Sequence, residues 1–194
     1  LNWLLKGLAR RRDDAPVNLV VSAIEHPAVL DVCDALGREG VETRRVPVGL
    51  SGVVNPDDVA ACLDDQTVAV SLMAANNEIG TVQPIAPIGA LCRAAAIPLV
   101  CDAAQAAGRI PIDVAQFGAD AIVLSAHKLY GPKGVGAVWV RPTRPARGIA
   151  PLMHGGGHER GLRAGTLAVP LLVGMGRACV IAKDLMPTEW VRLG

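Results

Sequence analysis

Short runs rich in Val, Ile and Leu recur along this chain and alternate with stretches of helical periodicity. Residues 17–21, 41–46, 67–73, 97–101, 121–124 and 135–140 read as strands. Residues 4–12, 28–38, 56–63, 85–95 and 170–183 read as helices. Most of the strand runs are near-continuously apolar and do not alternate with polar residues, the pattern of parallel strands buried on both faces. The rhythm therefore predicts an α/β fold, a mostly parallel sheet with helices on both faces. Local signals agree with the boundaries. Asn55 is placed to cap a helix with Pro56 at its first position, and Gly40 fits a stop just beyond the 28–38 helix.

With 194 residues, one domain is the default. Hydrophobic residues make up 51% and charged residues 19%, which excludes a disordered chain. So low a charged fraction hints that part of the surface meets a partner or another domain. A net charge of +1 and 3% aromatics leave no footprint for nucleic-acid binding. The charge run at residues 10–14 reads as a solvated helix end, and the Pro/Arg stretch at 141–147 as an exposed loop. The longest apolar run, 167–182, is interrupted by Arg177, so no membrane span is expected. Cys33, Cys62, Cys92, Cys101 and Cys179 form no C-x-x-C pair. They read as reduced and mostly buried, which fits a cytoplasmic protein. The first residue is Leu1, inside a helical pattern, so the chain reads as a piece of something longer.

In an open parallel sheet, ligands bind beyond the carboxyl ends of the strands. Four predicted strands are followed there by polar residues: Glu25 and His26, then Asn76, Asn77 and Glu78, then Asp102 and Gln105, then Ser125, His127 and Lys128. Singly, each has an ordinary reading: a solvated lysine, a helix N-cap at Asp102, a turn at His26 before Pro27, a polar loop at Asn76–Asn77. Together at four strand ends they favour a site. A lysine held at a buried strand end can lose basicity and act as a Schiff-base former. Other motifs fall short. Ser125-x-x-Lys128 closes a strand where penicillin-binding enzymes need it to open a helix. The glycines from Gly131 to Gly136 lack the G-K-[ST] of a nucleotide loop. His154 and His158 flank three glycines, which argues against a metal site.

The segments from Ile24 to Val29, Asn76 to Gly80, Asp102 to Gln105, Ser125 to Gly134 and Met153 to Arg160 resemble those of cysteine desulfurases. These are class V aminotransferase-type, fold-type I enzymes that use pyridoxal 5'-phosphate (PLP), and the likeness is greatest to the housekeeping desulfurases of iron–sulfur cluster assembly. The resemblance implies that Lys128 holds the cofactor and moves protons at the substrate Cα, with His26 stacked on the ring and helping in acid–base steps. It implies that Asp102 faces the pyridine nitrogen, that Asn77 and Gln105 meet the ring oxygen, and that Ser125 and His127 hold the phosphate. Thr166 would reach the phosphate of a neighbouring subunit, so a homodimer is implied. L-cysteine would be the substrate, and a sulfur-acceptor or iron–sulfur scaffold protein a partner. Family members also carry an N-terminal arm with a phosphate-binding threonine. Their C-terminal small domain holds a nucleophilic cysteine and a substrate-binding arginine. Residues 1–194 therefore read as the PLP-binding large domain truncated at both ends, expected to be inactive alone. Selenocysteine lyase, another class V enzyme, and a non-catalytic fragment that at most binds PLP remain open alternatives.

Overall fold

The computed structural model describes residues 1–10, 16–142 and 149–193. Most of the predicted 141–147 loop and most of the 10–14 charge run lie outside these residues. Arg10 is described, and it sits 3.7 Å from Glu39 at the surface.

Six strands form one sheet: β1 (Asn18–Ser22), β2 (Glu42–Val46), β3 (Thr67–Met73), β4 (Leu99–Asp102), β5 (Ala121–Ser125) and β6 (Gly136–Val140), in the order β2-β1-β3-β4-β5-β6. The first five pair in parallel, and β6 is antiparallel to β5. Every residue of β1, β3 and β4 is buried, as the apolar runs predict. The two edges differ from that pattern for physical reasons. β2 reads Glu-Thr-Arg-Arg-Val and lies half-exposed, and such charges suit an edge because they discourage pairing with another chain. β6 is apolar yet antiparallel, because the connection 126–135 is too short for the crossover that parallel pairing needs.

Helices cover both faces. On one, α1 (Asn2–Ala9) and α2 (Pro27–Gly37) lay Leu4, Leu5, Leu8, Val29 and Leu36 over Leu19, Val21, Val100 and Ala121. On the other, α3 (Pro56–Ala61) and α4 (Ile85–Ala94) pack Val59, Ile88 and Cys92 over Val20, Val70, Leu72, Leu99 and Ile122. Each fully buried leucine contributes roughly 2 kcal/mol of hydrophobic stabilisation. The Asn55 side chain accepts from the Asp57 N–H at 3.1 Å, with Pro56 at the first position, as the sequence predicts.

Three boundaries depart from the periodicity. β4 begins at Leu99, not at residue 97, because Pro98 has no N–H to give the ladder; its carbonyl still accepts from Val70 at 3.0 Å. The short α5 (Val114–Phe117) is one turn, too brief to leave a period, and is held by Asp113 accepting from the Ala115 and Gln116 N–H groups. The last helix, α6 (Val169–Leu193), runs past residue 183 and through Pro187. Pro187 removes one helical bond, and just beyond it the Thr188 hydroxyl donates to the Leu185 carbonyl at 2.8 Å. No helix among the described residues is long and apolar enough to cross a membrane.

Candidate active site

The strand order makes β1, β3, β4 and β5 consecutive neighbours, so their carboxyl ends lie side by side on one edge. Register tightens the picture. Met73 pairs with Asp102 and Asp102 with Val123, so β3 and β4 end level while β5 runs on to Ser125. The Ala74 N–H donates to the Asp102 carbonyl at 2.8 Å, and the Ala103 N–H to the Val123 carbonyl at 3.0 Å.

Asp102 is 8% exposed, and one carboxylate oxygen accepts from the Ala104 N–H at 2.9 Å. The bond belongs to a turn and not to a helix start, so the N-cap reading of Asp102 does not hold. Gln105 is half-buried in the same turn, and its carbonyl accepts from Arg109 at 3.0 Å. A cavity of about 230 Å³ opens here, between Asn76, Gly80 and Val82 on one side and Gln105, Arg109 and Ile110 on the other.

Lys128 lies half-buried in a single 3-10 turn, Ala126–Leu129, directly after β5. Next to it the Ser125 hydroxyl and His127 Nδ1 are 2.9 Å apart. The turn is closed tightly. Ala126 donates to the Val135 carbonyl at 3.1 Å and accepts from the Gly131 N–H at 2.9 Å, and Tyr130 takes a left-handed conformation with φ of 59°. A side chain at Gly136 would come within 2.6 Å of the Leu124 carbonyl oxygen, so this hairpin, and the lysine's placement with it, requires glycine there.

His26 caps α2, its Nδ1 accepting from the Ala28 N–H at 3.1 Å. That bond leaves the neutral ring's proton on Nε2. Asn77 is exposed, whereas its neighbour Asn76 is buried and frames the loop. The Asn76 side-chain Oδ1 accepts from the Glu78 N–H at 2.8 Å and the Ile79 N–H at 3.0 Å, and its Nδ2 donates to the Ile24 carbonyl at 3.1 Å. The fold thus brings His26, Asn77, Asp102, Gln105, Ser125, His127 and Lys128 to one edge. Thr166 does not join them. It is exposed in the segment before α6.

One residue of this edge has no role in the sequence reading. Glu25 is 4% exposed, and its carboxylate accepts from the Ser22 hydroxyl at 2.7 Å and the Met73 N–H at 2.9 Å. Burial pushes its pKa up to about 7, and the Asp102 charge adds to the rise. A serine three residues before a glutamate at the mouth of an apolar strand was the available signal. Burial also raises the thiol pKa of Cys33, Cys92 (to about 12) and Cys101. Among the described residues no cluster of His, Cys, Asp and Glu could hold a metal ion.

Residues 1–187 match the family described as Aminotransferase class-V. Over 192 residues the chain is 46% identical to the cysteine desulfurase IscS of Salmonella paratyphi B, covering 99% of this chain and 47% of that protein. Among solved structures, a NifS-like protein superposes with a TM-score of 0.90 at 39% identity, covering 96% of this chain and 51% of the other. The structure titled SspA in complex with cysteine superposes with a TM-score of 0.89 at 41% identity, covering 92% and 51%. The chain spans about half the length of the relatives it matches.

Proposed function

This chain belongs to the class V aminotransferase family, and from that premise we propose that it is the PLP-binding large domain of a cysteine desulfurase. The observation that carries the reading is the row of four adjacent strand ends bearing His26, Asn77, Asp102 with Gln105, and Ser125 with His127 and Lys128. Their chemistry fits the cofactor part by part. A half-buried amine meets an aldehyde, a buried carboxylate meets a pyridinium, and a hydroxyl beside an imidazole meets a phosphate.

When bound, PLP supplies an electron sink for charge that develops at the substrate Cα. The chain's own residues do the rest. Lys128 would hold the cofactor through its amine and would carry the substrate's Cα proton. Asp102 keeps the ring nitrogen protonated, and its burial strengthens that pairing. Asn77 and Gln105 would donate to the ring oxygen from two different strand ends. Ser125 and His127 hold the phosphate, and Thr166 reaches the phosphate of the other subunit in a homodimer. His26 stacks on the ring, its Nε2–H turned away from the cap bond and free to serve a proton transfer.

In the whole protein the reaction takes sulfur from L-cysteine onto a cysteine thiolate, leaving L-alanine. The sulfur then passes to an acceptor such as an iron–sulfur scaffold protein in the cytoplasm. None of the five cysteines here suits that task. Cys33, Cys92 and Cys101 are buried, Cys62 ends α3, and Cys179 lies within α6. We therefore expect the isolated chain to hold PLP without turning cysteine over. That solved relatives include a cysteine complex favours this substrate over selenocysteine. Borohydride reduction after PLP addition, followed by peptide mapping, tests the reading. The label should sit on Lys128. Labelling of Lys6, Lys133 or Lys183 instead would reject it.

A further inference from the structure

Glu25 is a buried carboxyl to which the proposed chemistry gives no task. One of its oxygens accepts from Ser22 and Met73, while Oε2 is buried without a partner. No Lys, Arg or His among the described residues forms an ion pair with it. A buried carboxylate with an orphaned oxygen and no cation is a costly feature, and a core position filled only for packing would be apolar.

Its location suggests what offsets that cost. Glu25 immediately precedes His26, and its bond to the Met73 N–H ties the His26 turn to the last residue of β3. A second tie runs in parallel, from the Asn76 amide to the Ile24 carbonyl. Met73 is also the register partner of Asp102. The Glu25 carboxyl thus touches the strand end that lies between the His26 turn and Asp102.

We propose that Glu25 is a positioning residue of the cofactor site: its carboxyl clamps the His26 turn to the end of β3, and its charge backs that of Asp102 across the β3–β4 register. The inference rests on the PLP reading above.

The surroundings give the clamp a pH dependence. Facing Glu25 are Ser22 on β1, Cys33 on α2, Met73 on β3, and Cys101 and Asp102 on β4. Burial holds both thiols protonated, so Asp102 is the charged neighbour that reaches it. Desolvation first, and Asp102 second, push Glu25 up to about 7 against the two hydrogen bonds. A pyridinium on Asp102 would cancel part of that smaller, coulombic contribution and so ease Glu25 ionisation, and cofactor binding and Glu25 ionisation then favour each other.

The test uses the 194-residue chain and its Glu25→Gln and Glu25→Ala variants. Gln keeps an oxygen for Ser22 and Met73 but cannot ionise. The raised carboxyl gives stability that is full below its unfolded pKa and is lost as pH rises through about 7. Without cofactor, Glu25→Gln should therefore melt with wild type at pH 5 and above it at pH 8. Absorbance titration with PLP should show a Kd weakened about three- to tenfold in Glu25→Gln at pH 8, the scale of one charge acting across a few ångströms of protein interior. The loss should shrink at pH 6. Glu25→Ala should bind more weakly still, with faster hydrogen exchange at the Met73 amide. Equal Kd values for wild type and Glu25→Gln at both pH values, or melting curves that stay superimposed at pH 8, would overturn the proposal. Failure of every form, wild type included, to bind PLP would instead bring down the cofactor reading and this inference with it.

Discussion

The two ends of the sheet carry the same kinds of side chain and use them in opposite ways. At the amino end, Asp64 accepts from Asn18 (2.8 Å), Thr67 (3.1 Å) and the Gln66 N–H (2.9 Å), and pairs with Arg44 at 2.7 Å. Asp120 accepts from the Leu99 N–H at 3.1 Å and lies 3.6 Å from Arg141. Each of these two carboxylates has a guanidinium partner, and Arg44 also pairs with Glu42 at 3.0 Å. At the carboxyl end, Asp102 and Glu25 face one another, and neither forms an ion pair among the described residues. Carboxylates matched by a guanidinium build a scaffold. Polar groups left facing like charge create a demand for a cation from outside, which a protonated pyridine ring would meet.

The sharpest way to break this contrast is to delete the carboxylate at each end. Asp102→Ala should leave the melting temperature near wild type, since it relieves repulsion on Glu25, but weaken PLP binding by tenfold or more in an absorbance titration, the scale of about one pKa unit of lost pairing. Binding that stays unchanged would remove Asp102 from the cofactor's partners. Asp120→Ala should do the reverse. It orphans the buried Leu99 N–H and should cost about 1–3 kcal/mol in denaturant unfolding, while PLP affinity holds. A matching loss of affinity would mean that the two ends are not independent.

The smallest effect lies in the acid limb of stability. The Asn18 hydrogen bond, with Arg44 next, lowers the Asp64 pKa from 3.8 to about 2. A depressed carboxyl stabilises the fold above its unfolded pKa and loses that contribution as pH falls through about 2. Thermal melts between pH 2 and 5 should fall less steeply for Asp64→Asn than for wild type. The Glu25 limb has the opposite sign, with stability lost as pH rises. Identical slopes for both forms would assign the amino-end network no pH-dependent role.

Much of this architecture was readable in one dimension. The buried run of β3, the Asn55–Pro56 helix start and the polar residues after each strand all follow from local composition. Lys128 stood out because it follows an apolar strand and precedes a glycine turn, and the structure places it in such a turn. The antiparallel course of β6 was not read, though the short 126–135 connection contained it. Helix α6 runs past the expected end at residue 183, and it carries Pro187 because a helix can absorb one lost bond. Glu25 was overlooked because a glutamate beside a histidine and a proline looks like an ordinary exposed turn.

Sequence by itself determined which segments become strands and helices, and which residue types stand at their ends, because periodicity, caps and turn chemistry act over a few residues. Tertiary structure decided which ends become neighbours. Pairing β1 with β3, and β3 with β4, joins residues some fifty and thirty positions apart through backbone groups that every residue shares. That order ties Glu25 to Met73, sets Asp102 level with Met73, and leaves two carboxyls facing each other with no ion-pair partner among the described residues. Burial and field strength are sums over neighbours in space, so they exist only once the sheet has closed.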